Sequence, residues 1–141
     1  MELAHALDIA GARSQAVAVT MRRDGRPQLS NVSQHTDGDG IIRVSVTADR
    51  AKYHNVRREP WAAIHVNGPD FWSYVVLEGP AEVTPPAAAP DDDVVEELVR
   101  LYRDLAGEHP DWDDYRRAMV ADDRAVLRVR PERAYGLPPQ G

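Results

Sequence analysis

The sequence contains no cysteine, a single lysine (Lys52), a single phenylalanine (Phe71) and no long apolar run. The lack of cysteine excludes disulfides, thiolate catalysis, zinc fingers and iron–sulfur ligation. No stretch approaches the roughly 20 apolar residues that a membrane-spanning helix needs. The first turns of the chain carry Glu2, His5, Asp8 and Arg13, which interrupt the apolar core that a secretory signal requires. A soluble, reducing, cytoplasmic setting is therefore expected, without membrane contact. His5, His35, His54, His65 and His109 show no HxH or HExxH spacing, so no metal centre is expected. No Ser-His-Asp elbow and no P-loop occurs. Asp91–Asp93 and Asp113–Asp114 read as helix-start residues rather than a catalytic dyad.

What is present describes one globular domain. A chain of 141 residues can bury a hydrophobic core without staples. The net charge of −6 is unevenly spread. Residues 90–123 hold twelve acidic and four basic residues, whereas residues 43–58 hold five basic residues against Asp49 alone. An acidic chain with one basic spot suits a small anionic ligand better than nucleic acid.

Residues 2–12 have helical spacing, with Leu3, Ala6, Leu7 and Ala10 on one face. Residues 15–22 and 41–47 alternate like strands and residues 27–36 form the return strand between them, joined by hairpin turns at Asp24-Gly25 and across 37–40. A helix is predicted over 49–58, ending before Pro60. Strands follow over 61–67 and 71–84, the second bent near Gly79-Pro80. After the Pro/Ala linker at 85–90, Asp91 is the expected N-cap of a helix whose stripe is Val94, Val95, Leu98, Leu101, Tyr102 and Leu105. Asp111 is the expected cap of a second helix carrying Trp112, Tyr115 and Met119. A last strand over 124–130 turns Ala125, Leu127 and Val129 inward. The tail 131–141, rich in Pro and Gly, is expected to be irregular. The fold class is therefore mainly β: six antiparallel strands closing into a barrel, with peripheral helices and a helical pair inserted at about 91–122.

Two groups of residues carry candidate chemistry. Arg50 and Lys52 stand where a helix begins, and the free N–H groups there attract phosphate. A guanidinium adds a bidentate contact and an ammonium a point charge. From spacing alone, Arg50, Lys52, Arg57 and Arg58 describe either that grip or a solvated helix face. Gln28, Ser30 and Asn31 place amides and a hydroxyl on a strand, either as an exposed face or as partners for a polar ring edge. Trp72 and Tyr74 share a strand face, suited to packing or to stacking on a ring.

The run Asp24-Gly25-Arg26-Pro27-Gln28-Leu29-Ser30-Asn31-Val32 resembles the second strand of the pyridoxamine 5′-phosphate oxidase-like, FMN-binding split barrels. Val44-Ser45-Val46, Arg50-Ala51-Lys52 and Asn55-Val56-Arg57-Arg58-Glu59-Pro60 resemble that family's phosphate-binding strand and helix. Trp72-Ser73-Tyr74, Glu78-Gly79, Asp111-Trp112-Asp113-Asp114-Tyr115 and Tyr135-Gly136-Leu137-Pro138-Pro139 resemble a narrower actinobacterial group that uses the deazaflavin coenzyme F420.

The resemblance implies a homodimer with cofactor sites at its interface. Phosphate contacts would fall on Arg50 and Lys52 with Ser45 nearby, and ring contacts on Gln28, Ser30 and Asn31. Asn55 would support the phosphate helix, Trp72 and Tyr74 would reach across the interface, and Gly136 would lie near the ring. The implied activity is an F420-dependent reductase of a small electron-poor acceptor. An FMN-dependent flavoenzyme and a non-catalytic F420- or FMN-binding protein are the alternatives. The substrate-binding C-terminus of true pyridoxamine phosphate oxidases has no counterpart here. No side chain stands out as a general acid, which suits chemistry carried by a cofactor.

Overall fold

Period-two alternation along residues 15–47 becomes three strands in the computed structural model, which describes residues 1–139. They are β1 (Gln15–Met21), β2 (Pro27–Thr36) and β3 (Ile42–Thr47), preceded by α1 (Leu3–Gly11). The first turn closes as its sequence demands. The Gly25 N–H donates to the Arg22 carbonyl at 2.9 Å, and the Asp24 carboxylate accepts the Arg26 N–H at 2.9 Å. Then come α2 (Ala51–Arg58), β4 (Trp61–Asn67), β5 (Tyr74–Val83), α3 (Asp93–Ala106), α4 (Trp112–Ala121), β6 (Arg124–Val129) and β7 (Arg133–Leu137).

All strand pairings are antiparallel. The order β1-β2-β3-β6-β5-β4 closes through β4–β1 pairing into a six-stranded barrel, and β7 adds to β5. β5 changes partner along its length, from β4 across Tyr74–Pro80 to β6 across Ala81–Val83. The bend falls at Gly79-Pro80, where a Cβ on Gly79 would collide with the Arg130 carbonyl. Alternate residues fill the interior, among them Ala18, Ile42, Val44, Ile64, Leu77 and Leu127. Val126, on the outer face of β6, packs with Val95, Leu98, Tyr115 and Met119 beneath the helical pair.

Four expectations need correction. α2 begins at Ala51, not at 49, because a turn occupies residues 47–50: the Arg50 N–H donates to the Thr47 carbonyl, and the Thr47 hydroxyl to Asp49 at 2.7 Å. Residues 71–73 precede β5 rather than starting it, since the Asp70 carboxylate takes the N–H groups of Trp72 and Ser73 in a side-chain turn. Asp92, not Asp91, caps α3, accepting from the N–H groups of Val95, Ala88 and Ala89. The tail is not irregular: residues 133–137 form β7. β5 turns only its far end to β6, so its edge at Tyr74–Glu78 holds open backbone donors and acceptors that β7 satisfies. The end of the tail lies outside the described residues.

Candidate functional site

A split in the barrel wall makes the principal cleft. β2 pairs with β3 only through Gln34–Thr36, then diverges, while β3 continues along β6. From Pro27 to Ser33 the β3-facing edge of β2 is therefore unpaired, and its backbone groups face the gap. The cleft has a volume of about 780 Å³. Gln28, Ser30 and Asn31 border it from β2, Ser45 and Thr47 from β3, and Arg50 and Lys52 from the start of α2. Six of the ten residues that the sequence nominated thus come together.

Asn55 stands behind the cleft as a support. It is buried, and its amide donates to Gln28 Oε1 at 3.2 Å and Thr20 Oγ1 at 3.1 Å, while accepting from Arg58 at 3.1 Å. One helix therefore presents Arg50 and Lys52 at its start and fixes Gln28 from its middle.

The fold divides the basic spot into parts with different fates. Arg57 lies over the Tyr53 ring, and Arg58 donates to the Met21 carbonyl at 2.6 Å. Arg43 joins an ion-pair network at the other end of β3. Only Arg50 and Lys52 reach the cleft, where Arg124 from β6 joins them. Sequence reasoning missed Arg124, because only the β3–β6 register, which sets Arg124 opposite Thr47, brings it there. Among the described residues none of these three cations lies within ion-pair distance of a carboxylate. Burial, and then the charges of Arg50 and Arg124, pull the Lys52 pKa below its ordinary value. The Nε of Arg124 is buried without a hydrogen-bond partner among the described residues, and its Nη1 reaches the Ser45 hydroxyl at 3.4 Å. No side chain caps α2. Three cations against Asp49 give the site a concentrated positive field.

Trp72, Tyr74 and Gly136 do not line this cleft. Trp72 is 75% exposed beside the equally exposed Phe71, their rings 5.0 Å apart. The Tyr74 ring stacks on His65 at 5.2 Å. Gly136, with φ of 151°, lies on β7 against the Tyr74 carbonyl, where a Cβ would collide. His35 Nε2 lies 3.0 Å from Asp37 and 3.6 Å from Asp104, a grouping the sequence did not show because Asp104 comes from α3. Asp37 already pairs with Arg43, and the group fastens α3 to the β2–β3 hairpin.

The family profile described as Pyridoxamine 5′-phosphate oxidase matches residues 6–137. Among solved structures, an F420 reductase superposes with a TM-score of 0.68 at 24% identity, covering 91% of this chain and 94% of that one. A conserved hypothetical protein from Mycobacterium tuberculosis gives 0.72 at 21% identity, covering 98% and 85%. The heme storage protein of Vibrio cholerae gives 0.67 at 14% identity, covering 96% and 95%. At such identities these likenesses show a common fold.

Proposed function

Because the chain belongs to the pyridoxamine 5′-phosphate oxidase family, whose split barrel binds flavins, we propose that it is an oxidoreductase that uses coenzyme F420 to reduce a small electron-poor organic acceptor. The observation that carries this reading is the trio Arg50, Lys52 and Arg124, which outnumbers the one lining carboxylate, Asp49, and forms no ion pair with it, in a cleft whose other wall is an unpaired strand edge.

A phosphate-bearing planar ring fits that donor set. Arg50, Lys52 and the uncapped start of α2 would hold the phosphate, each charge-assisted contact contributing about 1.5–3 kcal/mol. Gln28, Ser30, Asn31 and the open backbone of β2 would meet the polar edges of the ring. Asn55 keeps the Gln28 amide turned to one side, so helix and ring seat are set together. Bound in its reduced form, the deazaflavin supplies the hydride. The protein binds, orients and desolvates, and no residue is assigned as a general acid.

A homodimer completes the proposal. The outward face of β4, β5 and β7 carries Val76, Tyr135 and Leu137, and Tyr135 and Leu137 are more than half exposed. Pairing that face with a second copy would bury it and bring Phe71 and Trp72 toward the neighbouring cleft. Leu137→Asp should then halve the mass measured by light scattering, and an unchanged mass removes this face from the interface.

The cofactor is tested by titrating F420 and FMN separately into purified protein and following fluorescence quenching. Tighter binding of F420 is expected. Tighter binding of FMN would replace the deazaflavin with a flavin on the same contacts, and binding of neither would overturn the reading.

A further inference from the structure

Beside the cleft, between the helical pair and the barrel, lies a second chamber of about 440 Å³. Leu101, Tyr102 and Leu105 of α3 and Tyr115 and Met119 of α4 wall it, and Arg124 lies at its floor. Its size falls within the range of small-molecule sites. Ser33, Ser45, Leu105 and Arg124 border both hollows, so the chamber opens directly onto the cleft.

The walls present apolar and aromatic surface. The Tyr115 hydroxyl is committed, donating to the Leu98 carbonyl at 3.0 Å. Burial pushes its pKa up to about 12, so it stays neutral and offers the chamber its ring. The Tyr102 ring stands 5.0 Å from it at a 58° tilt. At the floor, Arg124 has the buried, unpartnered Nε. A buried donor without an acceptor is costly, and a planar guanidinium is matched best by a planar carboxylate. A dianionic phosphate would be harder to desolvate among these walls than a singly charged carboxylate.

We propose that this chamber is the acceptor subsite, and that it takes a molecule with a flat apolar body and one carboxylate, which Arg124 binds. The word acceptor rests on the oxidoreductase reading above; the binding does not.

Titration calorimetry of the full chain with 2-naphthoate, and with 2-naphthamide as its uncharged counterpart, tests the proposal. The acid should bind roughly tenfold more tightly than the amide. Arg124→Met should reduce the acid to the level of the amide. Ala106→Trp, a change at an exposed residue on the chamber lining, should weaken both, and it carries the test if Arg124→Met fails to fold. Equal affinities in the unaltered protein, a preference that survives Arg124→Met, or affinities unmoved by Ala106→Trp would overturn the proposal. So would a preference abolished by Lys52→Ala, which would place the acid in the phosphate grip. Cofactor titrations on the same preparation separate the two readings. Naphthoate preference without cofactor binding sinks the oxidoreductase and leaves the chamber, and the reverse result sinks the chamber alone.

Discussion

Arg124 and Arg128 stand four residues apart on the same outward face of β6, yet they meet opposite surroundings. Arg128 and its cross-strand neighbour Arg43 share the buried Glu97 of α3, each donating through Nε to Oε2 at 2.9 Å. Burial would raise the Glu97 pKa, but hydrogen bonds from Arg128 and Arg43 outweigh it and hold the carboxyl below its usual range. The Arg128 pKa is raised, chiefly by the Glu97 contact. At the other end of the strand, Arg124 has Thr47 across from it, reaches the Ser45 hydroxyl at 3.4 Å and pairs with no carboxylate among the described residues. Helix α3 covers one end of this ribbon with an acid and presents uncharged Leu101, Tyr102, Leu105 and Ala106 toward the other. Charge compensated inside the fold is architecture. Charge left uncompensated costs stability, and it persists where a ligand completes it.

The largest effect should follow from removing the shared acid. Glu97→Ala removes the only buried acid of the network, leaving Arg43 to Asp37 and Asp39 and Arg128 to Glu82. It should destabilise the protein by about 3 kcal/mol in urea unfolding, the low end of the cost of breaking a buried pair. A loss below about 1 kcal/mol would class the network with ordinary surface pairs and erase the contrast. Next in size, Lys52→Ala should weaken cofactor binding by about 1.5–3 kcal/mol while the melting temperature of the ligand-free protein hardly changes. Unchanged affinity would remove Lys52 from the site, and a large fall in melting temperature would make it structural. The smallest effect is on pH dependence. Because folding depresses the Glu97 pKa, its contribution is full above the ordinary glutamate value of 4.5 and is lost as pH falls through the depressed one. Acid titration of stability should therefore be shallower in Glu97→Gln than in the unaltered protein, and identical slopes would contradict the assignment.

Much of this contrast could be read in the sequence, because its physics is local. Residues 27–36 and 61–67 read as strands between turn signals, and β2 and β4 occupy just those residues. The turn at Asp24-Gly25 follows from residues adjacent in the chain. Two of the three cations of the cleft were legible for the same reason, since Arg50 and Lys52 follow Asp49 at the start of a helix whose end Pro60 marks. What failed was what local pattern cannot encode. The tail was expected to be irregular from its composition, yet the open edge of β5 recruits it as β7. Trp72 was placed on a strand, yet the Asp70 side chain diverts the backbone first.

By itself, then, the sequence determined the strand and helix periods, the hairpin turns and the positive charge at the start of α2, all set by residues within a few positions of one another. Tertiary structure alone decided which cations find an acid. It opened the gap between β2 and β3, placed Arg124 opposite Thr47 and delivered Glu97 to Arg43 and Arg128. The reason is that compensation of charge depends on distances of a few ångströms between segments far apart in the chain, and strand register and helix packing set those distances.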